Sequence, residues 1–389
     1  LGEGKREVNV LFSLTSDSLT FMDNTIEQVA RIQEISCDEA LFKVLHDAFH
    51  LWVSTAEGWQ LVANFYIRFE EGEGLRLVFR LDEDFPPVSP LEGEQEPSFR
   101  LLVNSTAWLF PYSWARKMFI KSVKINVSVQ GLRHFQVHND LGSIDIHQAF
   151  SPFGTAGEKG AWFAFGCYEM ACKSVKTVDF NFNWQHLPTC NGGLEEYYRT
   201  YNKEIDNCSF KGRVDQLRSR GWKSLANADL FYLFRTSSEP VPQRDEPLLE
   251  HVKMHFSVSE NSVLPLGMAD KFHLSNVRSG FFRLVLTEPD MGFGMHEYHR
   301  LFAETMMYNS RARHKKPLPE TPLSLLMDTP QLGYVAEEEC FFNVGNTSEI
   351  RFSHIRPLSN QVNSYSDNSR PITMLDGPED EGNLLIGIK

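Results

Sequence analysis

The sequence predicts a mainly β chain with a few helices (α+β), folded into several antiparallel β-sandwich-like domains. Two observations carry this prediction. Apolar and polar residues alternate with period two in many segments, which is typical of antiparallel strands with one face on a core and the other in water. In addition, 42% of the 389 residues are hydrophobic and 12% are aromatic, which is enough for large packed cores.

Four segments show the alternation at four apolar positions each. Their apolar members are Leu75, Leu77, Phe79 and Leu81; Val123, Ile125, Val127 and Val129; Val178, Phe180, Phe182 and Trp184; and Val252, Met254, Phe256 and Val258. Each set predicts one half-buried strand.

Three segments predict helices, at residues 38–49, 192–202 and 296–313. The first opens with acidic residues, as helix N-termini prefer. It also carries apolar residues at helical spacing on one stripe, beginning with Leu41 and Val44.

Proline-rich and polar stretches divide the sequence into three expected domains. These are an N-terminal β-rich domain with one helix (1–135), a middle α+β segment (136–240) and a C-terminal β-rich domain with one long helix (241–389). Residues 235–247, with three prolines and few apolar residues, are the strongest linker candidate. Residues 82–97 and 359–371 are predicted to be exposed loops. The sequence starts without methionine or a signal-peptide layout and stops just after a predicted strand, so we expect it to be part of a longer chain.

Charge and cysteine spacing exclude several classes of function. The formal net charge of −13 disfavours a nucleic-acid partner, because phosphates would be repelled. No run of about 18 apolar residues is present, so no membrane-spanning helix is predicted. The six cysteines are scattered without a CxxC pair, which predicts free thiols rather than a disulfide framework.

No catalytic or metal motif stands out in the sequence. His296 and His299 lie three residues apart, whereas the helical zinc motif needs two histidines four residues apart. A nucleophile elbow and a phosphate-binding loop are also missing. We therefore expect no enzyme activity, no cofactor and no metal.

Residues 151–169 form a segment unusually dense in glycine and aromatic residues. It is interpreted either as a loop that approaches a ligand or as a structural crossing in which backbone packs under rings. No converging set of polar groups accompanies the rings, and this favours the structural crossing.

Motifs in and around this segment resemble the J-like baseplate wedge family of contractile injection systems, which are phage-tail-like particles. The family's strand I-x-V-x-V-x-G corresponds to residues 125–131, its N-D-x-G-x-I-D turn to 139–145 and its F-x-P-F-G segment to 150–154. Its W-x-x-L-P and Y-Y-x-x-Y motifs correspond to 184–188 and 197–201, and the tryptophan of a later motif to Trp222. The resemblance extends over most of the chain in the family's order.

The chain departs from the family pattern in three loops. Ala156 replaces a proline that follows F-x-P-F-G, and residues 318–325 and 356–359 lack the family's own loop sequences. These departures bear on the structure of individual loops and on which subfamily the chain resembles, but not on the class of protein that the resemblance implies.

The resemblance implies a structural baseplate component. It would pair with a second wedge protein, ring a central spike and hub in six-fold or similar symmetry, and support sheath-proximal proteins. The particle would be assembled in the bacterial cytoplasm. The implied structural or interface residues are Phe150, Pro152, Phe153, Gly154, Gly160, Trp162, Phe163, Gly166, Trp184, Tyr197, Tyr198, Tyr201 and Trp222.

Two other functions stay open at this point. The chain could be a carbohydrate-binding or hydrolytic β-protein whose aromatic residues form a sugar platform. It could also be an adhesin-like β-protein that acts outside the cell.

Overall fold

A computed structural model describes most of the chain. The described residues are 2–94, 96–189, 192–201, 204–228, 230–237, 241–244, 246–258, 263–265, 267–342, 351–356, 361–364, 371–375 and 383–387, with backbone only at 351–356, 361–364 and 383.

Within the described residues, twenty-one strands supply most of the regular structure. They are β1 (Lys5–Leu14), β2 (Phe49–Thr55), β3 (Gly58–Val62), β4 (Phe65–Glu70), β5 (Gly74–Leu81), β6 (Ser98–Val103), β7 (Phe119–Leu132), β8 (Gln136–Asn139), β9 (Gly142–Ile144), β10 (Trp162–Gly166), β11 (Val175–Gln185), β12 (Lys211–Arg218), β13 (Gly221–Ser224), β14 (Phe231–Tyr232), β15 (His251–Ser257), β16 (Phe281–Glu288), β17 (Leu326–Phe341), β18 (Arg351–Arg356), β19 (Gln361–Ser364), β20 (Ile372–Thr373) and β21 (Asn383–Gly387). The described pairings are antiparallel, so the predicted fold class is confirmed.

The four strands predicted from alternation are present as β5, β7, β11 and β15. In β11 every second residue is buried, from Val178 to Trp184, while the residues between them are partly exposed. The same alternation runs through β15. The apolar period therefore identified both the strands and their inward faces.

Six α-helices are present in the part of the chain that the structure describes. They are α1 (Ser16–Gln33), α2 (Cys37–Leu45), α3 (Tyr112–Ala115), α4 (Tyr168–Ala171), α5 (Gly193–Tyr198) and α6 (Met295–Arg311). Within the described ranges, no helix is long and apolar enough to cross a membrane.

The predicted helices differ from the observed ones mainly at their ends. The predicted helix 38–49 stops at Leu45, because Asp47 adopts a left-handed backbone conformation (φ 55°) and Phe49 already pairs in β2. The predicted helix 192–202 consists of α5 followed by a short 3-10 turn at Arg199–Tyr201. The predicted helix 296–313 corresponds to α6.

The chain forms two compact units. The first comprises Leu1–Gly131 and Val335–Lys389, and the second Leu132–Tyr334. The expected boundary at residue 135 lies near the change from one unit to the other, whereas both sides of the expected boundary at residue 240 belong to the second unit. Within the linker candidate 235–247, residues 238–240 and 245 lie outside the described residues. The described part is tied into that unit by two hydrogen bonds from Asn207 Nδ2, to the carbonyls of Gln243 (2.7 Å) and Glu246 (2.8 Å).

In the first unit, two antiparallel sheets pack face to face. Strands β7, β1, β5 and β4 are neighbours in one sheet, and the other has the order β19-β18-β21-β6-β2-β3. The rings of Phe79 on β5 and Phe99 on β6 lie 5.7 Å apart between them. The predicted loop 359–371 contributes β19 at 361–364, and its residues 359, 360 and 365–370 lie outside the described residues.

The second unit is built in the same way. Strand β11 lies between β15 and β17, and a second sheet has the order β13-β12-β16-β10-β8-β9, with β14 beside β12. The two layers meet through aromatic side chains, including the stacked rings of Phe165 and Phe180 at 4.4 Å.

A buried arginine fixes the loop at 82–97. Arg6 is 1% exposed on the inward face of β1, beside Val8. Its Nη2 donates hydrogen bonds to the carbonyls of Asp82 (2.6 Å) and Phe85 (2.8 Å), and its Nη1 donates one to Pro86 (3.4 Å). These bonds satisfy backbone carbonyls of a loop that has few strand partners.

We expect Arg6→Met to lower the free energy of unfolding by about 2–4 kcal/mol, because three loop carbonyls lose the buried donor that holds them. Urea unfolding measures the change, and hydrogen exchange should rise in residues 82–94. Arg31→Met, at an exposed position of α1, is the control and should stay within about 0.5 kcal/mol of the parent. Equal effects of the two substitutions would contradict the role of Arg6.

Candidate functional site

The glycine-rich segment makes a sequence of tight turns between β9 and β10. Phe150 pairs with Met327 through two backbone hydrogen bonds of 3.0 and 2.8 Å. Pro152 and Phe153 are buried directly after it. Gly154 and Gly160 have φ values of 67° and 90°, a region that favours glycine. The segment is therefore anchored at its start and turned by its glycines.

Gly157 makes the closest approach in this segment. Its carbonyl accepts a hydrogen bond of 2.9 Å from the Phe293 backbone N–H. A Cβ at Gly157 would overlap the Phe293 ring, and the φ of 52° is also unfavourable for other residues. A Cβ at Gly292 would overlap the Gly157 carbonyl oxygen in turn. Backbone thus packs directly under a ring at this point.

Gly166 ends β10 with a second close approach. It pairs with Phe281 of β16, and a Cβ there would overlap the carbonyl oxygen of Gly280. Gly154 and Gly160 are less crowded: a Cβ at Gly154 would meet Asp140 at an ordinary 3.5 Å, and one at Gly160 would meet nothing within 4 Å.

Eight buried rings of the second unit form a closed series of contacts, which we call the aromatic circuit. Neighbouring ring centroids lie 4.8–6.5 Å apart around it. In contact order, the members are Phe153, Phe163, Phe180, Phe182, Trp184, Phe234, Phe210 and Phe293, and none is more than 4% exposed. Burial of each ring contributes about 1.5–3 kcal/mol, so the circuit is a main source of cohesion in this unit.

Three tyrosines join the circuit to the segment after α6. The Tyr198 hydroxyl donates to the Phe293 carbonyl (3.0 Å), and the Tyr201 hydroxyl donates to the Glu320 carbonyl (2.6 Å). Tyr197 donates to the Thr321 carbonyl (2.8 Å). Burial raises the pKa of both Tyr198 and Tyr201, so both stay neutral donors at physiological pH.

Trp162 and Trp222 lie apart from the circuit. Trp162 is adjacent to Phe163 on β10, so the two side chains point to opposite faces of the sheet. Both tryptophans are partly exposed, and the Arg283 guanidinium lies 5.9 Å from the Trp162 ring and 4.6 Å from the Trp222 ring. Trp162 therefore does not share the buried contacts of Phe153 and Phe163, and its role as an interface residue stays a prediction.

The circuit offers no reactive polar group of its own. A cavity of about 470 Å³ lies beside Tyr197 and includes the ion pair of Glu196 and Arg199 (2.8 Å). Both partners of that pair are about half exposed. Within the described ranges, no three His, Cys, Asp or Glu side chains are arranged to hold a metal ion.

One buried histidine, His138 on β8, lies beside the exposed His273. The ring of His138 lies 4.8 Å from that of His273, and its Nε2 is 3.3 Å from Gln136 Oε1. Burial, and then the nearby His273, lower the pKa of His138 below its ordinary value. His138 is thus held neutral, which suits packing against Phe281 at 5.8 Å.

Sequence reasoning placed seven of the eight circuit members in predicted strands or in motifs that resemble the family, and it counted Gly157 among the turning glycines, but it gave no role to Phe234 and did not predict that these residues meet. Nothing in the sequence around Gly157, apart from the glycine itself, indicates its positive φ. Phe210 follows the tyrosine motif, and Phe234 lies where alternation is too short to identify a strand. Their shared position depends on tertiary packing alone.

Comparison with known proteins identified no relative of the chain. No protein-family model matches the chain, and no curated protein matches it.

We expect Gly157→Ala to destabilise the chain by about 2–4 kcal/mol, because the new methyl group meets both a strained backbone and the Phe293 ring. Gly160→Ala is the matched control: its φ is also positive but its surroundings are open, so we expect about 1–2 kcal/mol. Urea unfolding followed by tryptophan fluorescence measures both. Equal losses would show that the contact with Phe293 contributes nothing.

We expect stability to fall as the pH drops from about 7 to 5.5, partly through His138. Its folded pKa lies below the ordinary value of 6.5, so the unfolded chain takes up the proton first and protonation favours unfolding. The stability is thus complete above about pH 7 and declines as the pH falls through 6.5. Thermal unfolding of His138→Gln should show a smaller decline, whereas the exposed control His314→Gln should match the parent. An unchanged slope in His138→Gln would contradict this assignment.

Proposed function

We propose that the protein is a structural baseplate wedge component of a phage-tail-like contractile injection system and has no catalytic role. It would pair with a second wedge protein around a central spike and hub and contact sheath-proximal proteins. The observation that carries the proposal is the aromatic circuit. The motif segments that resemble the wedge family, at 150–154, 184–188 and 197–201, converge on buried rings and turning glycines rather than on a polar site.

The exposed face of α6 supports a role in assembly. Of its 17 residues, Leu301 alone is buried. Tyr298, Phe302 and Met306 follow one another at four-residue spacing along one side, and the last two are 37% and 49% exposed. An apolar helix side of this kind is suited to contacts with other subunits.

The sugar-binding alternative is less well supported. A carbohydrate platform needs rings whose faces are open to the sugar, whereas the eight rings of the circuit are buried. The partly exposed Tyr197 borders a cavity, but its hydroxyl already donates a hydrogen bond to the Thr321 carbonyl. We therefore do not propose a carbohydrate function.

The test is imaging of particles that contain a tagged copy of the chain in its native host. We expect the tag to co-purify with contractile particles and electron microscopy to place its density in the baseplate ring. Purification of the chain apart from any particle would contradict the proposal, as would glycan binding or glycoside hydrolysis that accounts for its activity.

A second arm tests the side of α6. We expect the double variant Phe302→Ser with Met306→Ser to lower the number of complete particles at least tenfold. Its unfolding midpoint should hardly change, since both side chains are exposed. Arg300→Gln is the control, because Arg300 lies on another side of α6 and pairs with Glu297 and Glu304 in solvent. Normal assembly of the double variant would exclude this side of α6 as an interface.

A further inference from the structure

Among the described residues, two arginines each place their guanidinium over the rings of two tryptophans, one such cluster in each unit, and we call each cluster a stack. In the first stack, the Arg100 guanidinium carbon lies 5.4 Å from the Trp52 ring and 4.6 Å from the Trp59 ring. In the second stack, Arg283 lies between Trp162 and Trp222. Such contacts suit arginine, whose planar and weakly hydrated cation packs well on indole faces.

In the second stack, the arginine is paired with a carboxylate. The Nε and Nη2 atoms of Arg283 both lie 2.8 Å from Oδ2 of Asp215, which is 2% exposed. The other oxygen of Asp215 accepts from Arg213 Nε at 3.1 Å. A partly buried guanidinium and a buried carboxylate therefore satisfy each other.

The first stack has no such partner. Among the described residues, none accepts a hydrogen bond from the Arg100 guanidinium and no carboxylate forms an ion pair with it. Its Nε is buried without an acceptor, and so is Nε1 of the neighbouring Trp52. Burial accordingly lowers the pKa of Arg100, whereas the Glu70 carboxylate raises the pKa of Arg76.

The first stack lies on the outward face of its sheet. Trp52 pairs with Arg100 on one side and with Leu61 on the other. Its neighbours in β2, Leu51 and Val53, are buried on the opposite face. Leu61 is 49% exposed. The partly exposed side chains of Trp52, Trp59 and Arg100 therefore form, with Leu61, an accessible and largely apolar patch.

We propose that this patch of Trp52, Trp59, Leu61 and Arg100 is a docking surface for a segment of a partner protein that places one Asp or Glu side chain against Arg100, with apolar residues on either side. Charge complementarity argues for this occupant: a carboxylate would supply in the first stack what Asp215 supplies in the second. The apolar neighbours of that carboxylate would cover Leu61 and the indole faces. The inference does not depend on the proposed baseplate function.

The test begins with a displayed library of random 12-residue peptides, selected on the intact chain and counter-selected on Arg100→Met. We expect the enriched peptides to share an Asp or Glu between apolar residues. Enrichment without an acidic residue, or equal enrichment on Arg100→Met, would overturn the proposal.

The best peptide is then made with an amidated C-terminus, together with its variant in which the acid is replaced by its amide. We expect the amide variant to bind the parent chain at least tenfold more weakly, while the two peptides bind Arg100→Met equally. Arg31→Met should bind like the parent. Equal binding of both peptides to the parent chain would refute a carboxylate-specific site without relying on any variant of the chain.

Free acetate at the same concentrations separates a docked segment from a simple anion site. We expect acetate to compete at least a hundredfold more weakly than the peptide, since it lacks the apolar contacts. Competition by acetate as effective as the peptide itself would identify a small-anion site instead and overturn the docking proposal.

Discussion

The arrangement of the second unit depends on the contact between the Gly157 backbone and the Phe293 residue. Phe293 touches two members of the aromatic circuit with its ring, donates its N–H to Gly157 and accepts the Tyr198 hydroxyl at its carbonyl. One residue thus joins the glycine-rich segment, the tyrosine motif and the start of α6. Because any side chain at Gly157 would occupy the volume of the ring, the circuit can close only over a glycine.

Irregular backbone in this protein is repeatedly satisfied by buried polar side chains. Arg6 does so for the loop after β5, Asn207 for residues 243 and 246, and Tyr201 for residue 320. Proline-rich connections form few ladder hydrogen bonds, so their buried carbonyls need donors from elsewhere. Segments with the composition of linkers therefore become fixed parts of a unit. This is why the described part of the stretch at 235–247, which was predicted as a linker, is held inside one.

The sequence predicts the strands better than the helices or the site, for physical reasons. In β7 and β11, alternation reports burial directly, so strand and inward face follow together. The helix α1 was not predicted, because its buried stripe contains only two large apolar residues. The stripe consists of Ser18, Met22, Ile26 and Ala30. At the site, the sequence motif places Trp162 and Phe163 side by side. In the structure their side chains point to opposite faces of β10, so only Phe163 joins the aromatic circuit. The meeting of Gly157 with Phe293, 136 positions later, follows from tertiary packing that no local pattern records.

The two tryptophan–arginine stacks show why buried aromatic packing and surface recognition have to be considered separately here. A methionine or leucine between Trp52 and Trp59 would provide comparable contact area without desolvating a charge. Arginine at this position therefore costs stability in the isolated chain. That cost is offset when a carboxylate of a bound partner pairs with Arg100. The guanidinium then gains charge-assisted hydrogen bonds, whereas an apolar residue at this position would gain none. In the second stack, Asp215 provides this compensation within the fold. In the first stack no described residue provides such a carboxylate, which gives the surface selectivity for an acidic partner over a merely apolar one.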